Sequence, residues 1–392
     1  MFNRNLVILS LSQIFSFSAA PITVFLSGII GSRMIEIKSL ATLPTALMIV
    51  GTSLGSIFAS YLMSIKGRRF GFMLATIITS SSALLASYAV FYNIFIIYCV
   101  SNFLIGIGFA FTVQYRFAAG ESVAKNYIPT AISIILFASL IGALIGPNVA
   151  TYTKDFISGS VYSGSYIFLS LLTFIPFFLL FFYKNESKNI RLTNNNIFKS
   201  RNYITLISQP RFLQAVVSSS IGYVTMSLLM TATPISMHLM DHISIGKTSF
   251  VIQMHIFGMF LPSLFTGRLV KKHGHSKIMY IGIIILIICI FLNYINQNFY
   301  NYLFGLILLG IGWNFLFIAG TSLLIISYKP EEKFKAQGLN DFLVSGTQAV
   351  GALSAGLLLN LFGWQFINLL CIPLLILIVL VVLRADYYLK YN

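Results

Sequence analysis

Long apolar runs separated by short polar punctuation repeat along this chain from end to end. The runs cover residues 5–31, 40–63, 71–92, 94–122, 128–150, 163–183, 212–239, 248–268, 278–297, 300–328, 336–360 and 365–384. Each is about 20 residues or longer, enough for a helix to cross a hydrocarbon layer roughly 30 Å thick. In lipid the backbone must satisfy its own polar groups, so spanning runs of this length predict helices. The pattern therefore predicts an all-α integral membrane fold of twelve transmembrane helices. Arg4 followed by the apolar stretch Leu6 to Phe17 and by Ser18, Ala19 and Ala20 has the outline of a signal peptide. The apolar run continues through Pro21 to Ile30, so the segment reads as a retained first helix.

Composition agrees with this pattern. Of the 392 residues 57% are hydrophobic and 9% are charged, against about 25% charged in soluble domains. Lipid, and not water, must solvate most of the surface. The formal charge of +16 would suggest nucleic acid in a soluble protein. Here the cations are spread over many short loops, as the positive-inside rule requires, and no nucleic-acid partner is implied. With the N-terminus in the cytoplasm, 20 of the 25 Lys and Arg residues fall on the cytoplasmic side and four on the outer side, with Arg116 inside a span. That split predicts a multi-pass protein with both termini cytoplasmic. Cys99, Cys289 and Cys371 sit singly in apolar runs, which indicates neither a disulfide framework nor a metal site.

The longest polar stretch, 184–211, is rich in Asn and Lys and lies at the middle of the chain. It divides an N-terminal six-helix bundle, 1–183, from a C-terminal one, 212–392. The halves look like repeats. Ser-Ile-Lys-Gly-Arg-Arg-Phe-Gly from Ser64 follows the second run, and Val-Lys-Lys-His-Gly-His-Ser-Lys from Val270 follows the eighth. Gly106-Ile-Gly108-Phe109 in the fourth run matches Gly310-Ile-Gly312-Trp313 in the tenth. Two matches in register predict a duplicated six-plus-six architecture, two halves related by a pseudo-two-fold axis.

These residues resemble the major facilitator superfamily over essentially the whole chain. The family's loop between the second and third spans reads Gly-x-Leu-x-Asp-Arg-x-Gly-Arg-Arg. Leu62, Gly67, Arg68 and Arg69 fit it, with Ser60 at the first glycine and Ser64 at the aspartate. The second copy keeps Gly267, Leu269 and Gly274, with Lys271 at the aspartate. In the family that aspartate locks the cytoplasmic gate by a charge contact, and the resemblance does not carry this lock to a chain lacking it twice. The family's Arg-x-x-x-Gly-x-Gly pattern finds Gly106 and Gly108, but Asn102 in place of the arginine. Its fifth-span antiporter pattern, Gly-x-x-x-Gly-Pro, is matched by Gly142, Gly146 and Pro147. A glycine pair at that spacing also serves close helix packing. Thr42 to Gly71 and Gly312 to Val344 resemble one bacterial subgroup of the superfamily. The resemblance implies a secondary transporter in a bacterial inner membrane, sufficient as a monomer, working by alternating access on a small-molecule substrate without a cofactor.

A charge at bilayer depth costs at least about 2.5–3.5 kcal/mol, so each needs a reason. Arg116 in the fourth run is the sharpest case. It cannot lose its charge, and it would hold an anionic group of a solute, pair with an ionised carboxylate, or snorkel to the interface. Glu121 and Asp341 are candidate proton-coupling groups, since a carboxyl in an apolar site can take up and release a proton near neutrality. Against this, Glu121 would lie at the interface, and Asp341 would pair with Lys333 or Lys335. Gln13 and Phe17 of the first run, Tyr223 of the seventh, and Trp313 and Asn314 of the tenth are candidate substrate-binding residues. Helix-to-helix hydrogen bonds explain Gln13 and Tyr223 equally well. Pro21, Pro147, Pro234 and Pro262 interrupt apolar runs and would bend their helices. Of the five histidines only His255 lies deep enough to be a proton site.

No Gly-Lys-Ser/Thr loop for ATP and no HExxH or nucleophile elbow is present in the sequence. The expected function is therefore proton-coupled secondary transport and not enzymatic catalysis. Export by antiport is favoured by the fifth-span pattern, with uptake of a metabolite or vitamin by symport as the alternative. A non-transporting membrane sensor on the same scaffold is the third reading.

Overall fold

A computed structural model describes residues 3–36, 40–185 and 201–391. Lys38 and positions 186–200 of the expected linker lie outside the described residues. Among those described every regular element is a helix. The membrane-length helices are α1 (Arg4–Met34), α2 (Leu43–Lys66), α3 (Arg68–Phe91), α4 (Phe95–Glu121), α5 (Ile128–Tyr152) and α6 (Ser163–Phe181). They continue as α7 (Pro210–Pro234), α8 (Ile245–Phe260 and Ser263–His273), α9 (His275–Ile295) and α10 (Phe299–Ser327). The last helical stretch, Lys333–Tyr391, is interrupted by Gly363 at φ 80° and forms α11 (333–362) and α12 (364–391). Counting that break, eleven apolar helical stretches become twelve spans.

The helix breaks follow local chemistry. α1 is continuous in outline but its ladder slips at Ser18, where the backbone N–H bonds back to Phe15 and Ser16. Pro21 has no N–H to give to the turn before it, so the break falls there and not at the proline itself. Pro147 stays inside α5, while Pro234 hands α7 over to a π-helical turn, Ile235–Met240. Pro262 opens the second segment of α8. α4 breaks without proline, at Val113 and Gln114 between Phe95–Thr112 and Tyr115–Glu121.

Two glycines set the repeat. Gly67 (φ 84°, ψ 162°) and Gly274 (φ 84°, ψ 163°) adopt the same left-handed conformation, which a side chain would oppose. Each alone joins one helix to the next. The third and ninth helices consequently start at Arg68 and His275, three residues before the apolar runs. The basic residues that read as a loop lie in helices, Lys66, Lys271 and Lys272 in last turns and Arg68, Arg69 and Lys277 in first turns.

The matched Gly-Ile-Gly elements make matched contacts. A Cβ on Gly106 would lie 2.0 Å from the Met48 carbonyl oxygen of α2, and one on Gly108 2.1 Å from Thr79 Oγ1 of α3. On Gly310 it would lie 2.6 Å from the His255 oxygen of α8, and on Gly312 2.6 Å from Leu286 Cγ of α9. In each half the first glycine admits the second helix and the next glycine admits the third.

The chain divides into two compact units. One comprises the described parts of 1–123 and 138–199 together with Lys333–Phe342. The other comprises Ala124–Phe137, the described part of 200–332, and Leu343 onward. The opening turns of α5 and of α11 are thus exchanged between the sequence halves.

Candidate functional site

The unit that holds α1 to α4 also holds the start of α11, and their meeting buries four charges. Arg116 follows the break in α4. That break leaves the Val113 carbonyl without its usual partner, because the Phe117 N–H bonds to Gln114 instead. Arg116 Nη1 donates to this carbonyl and Nη2 to Asp341 Oδ1. Arg116 is 4% exposed and Asp341 1%, so the arginine does not snorkel. Asn340 Nδ2 donates to the same Asp341 oxygen at 3.0 Å. The other oxygen, Oδ2, is buried with no hydrogen-bond partner among the described residues.

Glu121 lies at the end of α4 and is fully engaged. Arg68, the second residue after the second helix ends, reaches it with Nε at 3.1 Å and Nη2 at 2.7 Å. Gln337 Nε2 donates to Glu121 at 2.8 Å, and its own oxygen accepts from Arg68 at 2.7 Å. Lys333 Nζ stands 3.6 Å from the second Glu121 oxygen. Asp341 therefore faces Arg116, while Lys333 belongs to Glu121. Lys333, Gln337 and Asp341 repeat at four-residue spacing on one face of α11, and that spacing was visible in the sequence. Their partners, more than 200 residues away in sequence, were not.

Among the described residues the aspartate positions of the family loop make no ion pair in either copy. Ser64 Oγ bonds only to the Tyr61 carbonyl of its own helix. Lys271 Nζ sits 4.1 Å from the centre of the Tyr127 ring. Arg69, which also fits the loop motif, gives its backbone N–H to Asn185 Oδ1 and rests its guanidinium over Phe181.

The candidates on α1 and α5 are packing neighbours in this arrangement. Gln13 Nε2 donates to Ser139 Oγ at 2.8 Å, and Phe17 meets Phe109 with ring centres 5.7 Å apart. A Cβ on Gly142 would lie 2.4 Å from the Ile14 oxygen and one on Gly146 3.0 Å from the Ser18 oxygen. These glycines let α5 close on α1 at its slipped turn.

In the second unit four aromatic rings from three helices converge. Trp313 stacks on Phe317 (5.1 Å, 16°) and is met edge-on by Tyr223 (5.1 Å) and Phe260 (5.8 Å). Trp313 is 1% exposed, and its indole Nε1–H has no hydrogen-bond acceptor among the described residues. Buried indoles ordinarily find one. Phe260 and Phe317 were not singled out from the sequence, where single phenylalanines among 36 carry no signal. Asn314 is engaged otherwise: its amide donates to the Met259 carbonyl and Ser263 Oγ and accepts from Thr266 Oγ1, each at 2.7 Å. It braces the break in α8. Gly267 and Gly274 are structural as well, the first passing within 2.5 Å of the Pro129 oxygen were it to carry a Cβ.

His255 is wholly buried, with Nδ1 2.8 Å from the Leu306 carbonyl. Outside the spans, Glu332 holds Arg201 through its backbone N–H and a two-pronged guanidinium contact at 2.5–2.6 Å. That hydrogen bonding raises the arginine pKa above its ordinary value. Among the described residues no group of His, Cys, Asp and Glu is arranged to hold a metal ion.

A model of the Major Facilitator Superfamily matches residues 215–389. The riboflavin transporter RfnT of Brucella anthropi is 32% identical over 380 residues, covering 96% of this chain and 94% of its own. YdeG of Bacillus subtilis, described as an uncharacterized MFS-type transporter, is 26% identical over 397 residues, covering 96% and 92%. Among solved structures, the human organic anion transporter MFSD10 matches with a TM-score of 0.79 at 13% identity, covering 97% of this chain and 99% of its own. Full-length kinship, twelve spans and the duplicated glycine elements agree: the chain is a multi-pass membrane transporter of the Major Facilitator Superfamily.

Proposed function

We propose that this chain carries riboflavin, or a flavin close to it, into a bacterial cell across the inner membrane, coupled to protons, with both termini in the cytoplasm. The observation that carries the cargo is the Trp313 cluster. A flavin is a flat three-ring heteroaromatic whose carbonyl edge accepts hydrogen bonds. Trp313, Phe317, Tyr223 and Phe260 gather aromatic rings that would meet a flavin once the helices burying them part, and the unsatisfied indole N–H offers a donor to that edge. Kinship with a riboflavin transporter over nearly the whole chain supports the same cargo. Orientation rests on the 20 to four distribution of Lys and Arg.

Uptake is favoured over export because Gly142 and Gly146 are accounted for by packing on α1, which lowers the weight the fifth-span pattern lent to antiport. For coupling, Asp341 is a better proton acceptor than Glu121. Each Glu121 oxygen already accepts from a cation, whereas Asp341 Oδ2 is open. A proton on Asp341 cancels the charge that Arg116 faces and weakens the hold of α4 on the start of α11. Conformational bias then follows from the different proton affinity of the paired and unpaired states.

Binding is tested through the indole itself. The chain has two tryptophans, so Trp364→Phe leaves Trp313 as the sole reporter. Riboflavin should quench its emission saturably, while a sugar of similar polarity should not. Emission that does not respond to riboflavin at any occupancy would remove the aromatic cluster from the binding site.

A further inference from the structure

The two halves end differently at the corner where the first, third and sixth helices of each repeat come together. In the second unit the corner neutralises itself. Arg211 at the start of α7 donates to Asp386 of α12 at 3.2 Å, and Ser276 at the start of α9 donates to the same carboxylate at 2.7 Å. Counting from Gly67 and Gly274, Ser276 corresponds to Arg69. The first unit keeps the joint but not the acid. Asn5 of α1 exchanges hydrogen bonds of 2.8 and 3.1 Å with the backbone of Lys184 beyond α6. Arg69 takes the place of the serine, and no carboxylate among the described residues pairs with it or with Arg4.

Both guanidiniums instead lie on phenyl faces. Arg4 Cζ stands 5.8 Å from the Phe182 ring centre and Arg69 Cζ 4.7 Å from that of Phe181. Those two rings are 59% exposed, and Phe70 beside Arg69 is 47% exposed. Lys66 and Lys184 flank the corner and are exposed too. By sequence, positions 186–200 carry three cations, Lys188, Arg191 and Lys199, against the single acid Glu186.

Two exposed rings at the end of α6, each roofed by a guanidinium without a carboxylate partner among the described residues, with exposed Phe70 of α3 alongside, present a membrane-edge site for an anion with hydrocarbon attached. We propose that the Arg4–Arg69 corner binds the phosphodiester headgroup of an anionic phospholipid, with Phe181, Phe182 and Phe70 against its acyl chains. Arginine suits the role because its planar fork engages phosphate oxygens while its face stays on an aromatic ring. The site is independent of the flavin reading, since neither arginine touches the Trp313 cluster or the Arg116–Asp341 pair.

The test is native mass spectrometry of the purified full-length chain titrated with phosphatidylglycerol or phosphatidylcholine of the same acyl chains. The wild type should retain phosphatidylglycerol in preference. Arg4→Gln/Arg69→Gln should lose that preference by roughly tenfold or more, as expected for two cations removed from a membrane surface. Arg4→Lys/Arg69→Lys, which keeps the charge, should hold part of it and shows that the double variant folds. Lys272→Gln/Lys277→Gln, near the self-neutralised corner, should leave it unchanged. Equal retention of the two lipids, or equal loss in both double-glutamine variants, would overturn the proposal. Inorganic phosphate separates the sources. Competition only at high concentration fits a headgroup held jointly by charge and rings, and tight binding of phosphate alone would show a free-anion site instead.

Discussion

At the residue scale the Arg116–Asp341 pair and the Arg68–Glu121–Gln337 cluster look alike and differ in chemistry. Both join α4 to the first turns of α11. Both Glu121 oxygens accept from Arg68, and Asp341 keeps an open oxygen. Neutralising one member of a buried pair strands the other charge and costs about 3–5 kcal/mol, whereas removing both is far milder. Asp341→Asn should therefore lower thermal stability markedly, and Arg116→Gln/Asp341→Asn should recover most of the loss, as read by melting of the detergent-solubilised protein. Solute flux by Asp341→Asn should also lose its dependence on pH, while Glu121→Gln keeps it. An unchanged pH profile in Asp341→Asn would assign coupling elsewhere. The sequence marked Arg116, Glu121 and Asp341 because charges in apolar runs are costly. It did not pair them, because contacts across 225 residues leave no periodic trace.

At the element scale small residues decide which helices touch. Ser60 stands where the family has glycine, and the reason lies opposite it: a Cβ on Gly338 of α11 would sit 2.8 Å from Ser60 Cβ. In the second copy Gly267 keeps the glycine and faces Ser133 of α5, whose Oγ would be 2.5 Å from an added Cβ. One glycine and one serine meet at each crossing, in opposite order. Gly338→Ala should destabilise the protein by roughly 1–3 kcal/mol through overpacking, and Ser60→Gly/Gly338→Ala should relieve that clash while remaining below wild type, because the buried Gln114 amide loses Ser60 Oγ. Melting temperatures of the four members of this cycle check it, and additive effects would show that the two positions do not share the space. Spans were legible as apolar runs, yet their ends were misplaced at Arg68 and His275. Hydropathy cannot see that a single left-handed glycine turns the chain so tightly that cations enter the next helix.

At the scale of the whole molecule the duplication read from two short motifs extends to backbone angles and helix contacts. Gly67 and Gly274 share φ and ψ within a degree, and each Gly-Ile-Gly seats the second and third helices of its half. Side-chain chemistry departs from that symmetry. The second half holds the aromatic cluster, and Arg116 sits only in the first. The proposed cargo was beyond the sequence alone because Trp313 among apolar neighbours does not reveal that Phe260, Phe317 and Tyr223 surround it, nor that its N–H is left without a partner among the described residues.

Riboflavin flux into proteoliposomes holding the purified chain is the most direct measurement of the central claim. The account predicts saturable accumulation above empty liposomes, accelerated by a proton gradient directed with the flavin and reduced in Trp313→Leu. Flux no greater than that of empty liposomes, with the protein folded and inserted, would contradict it.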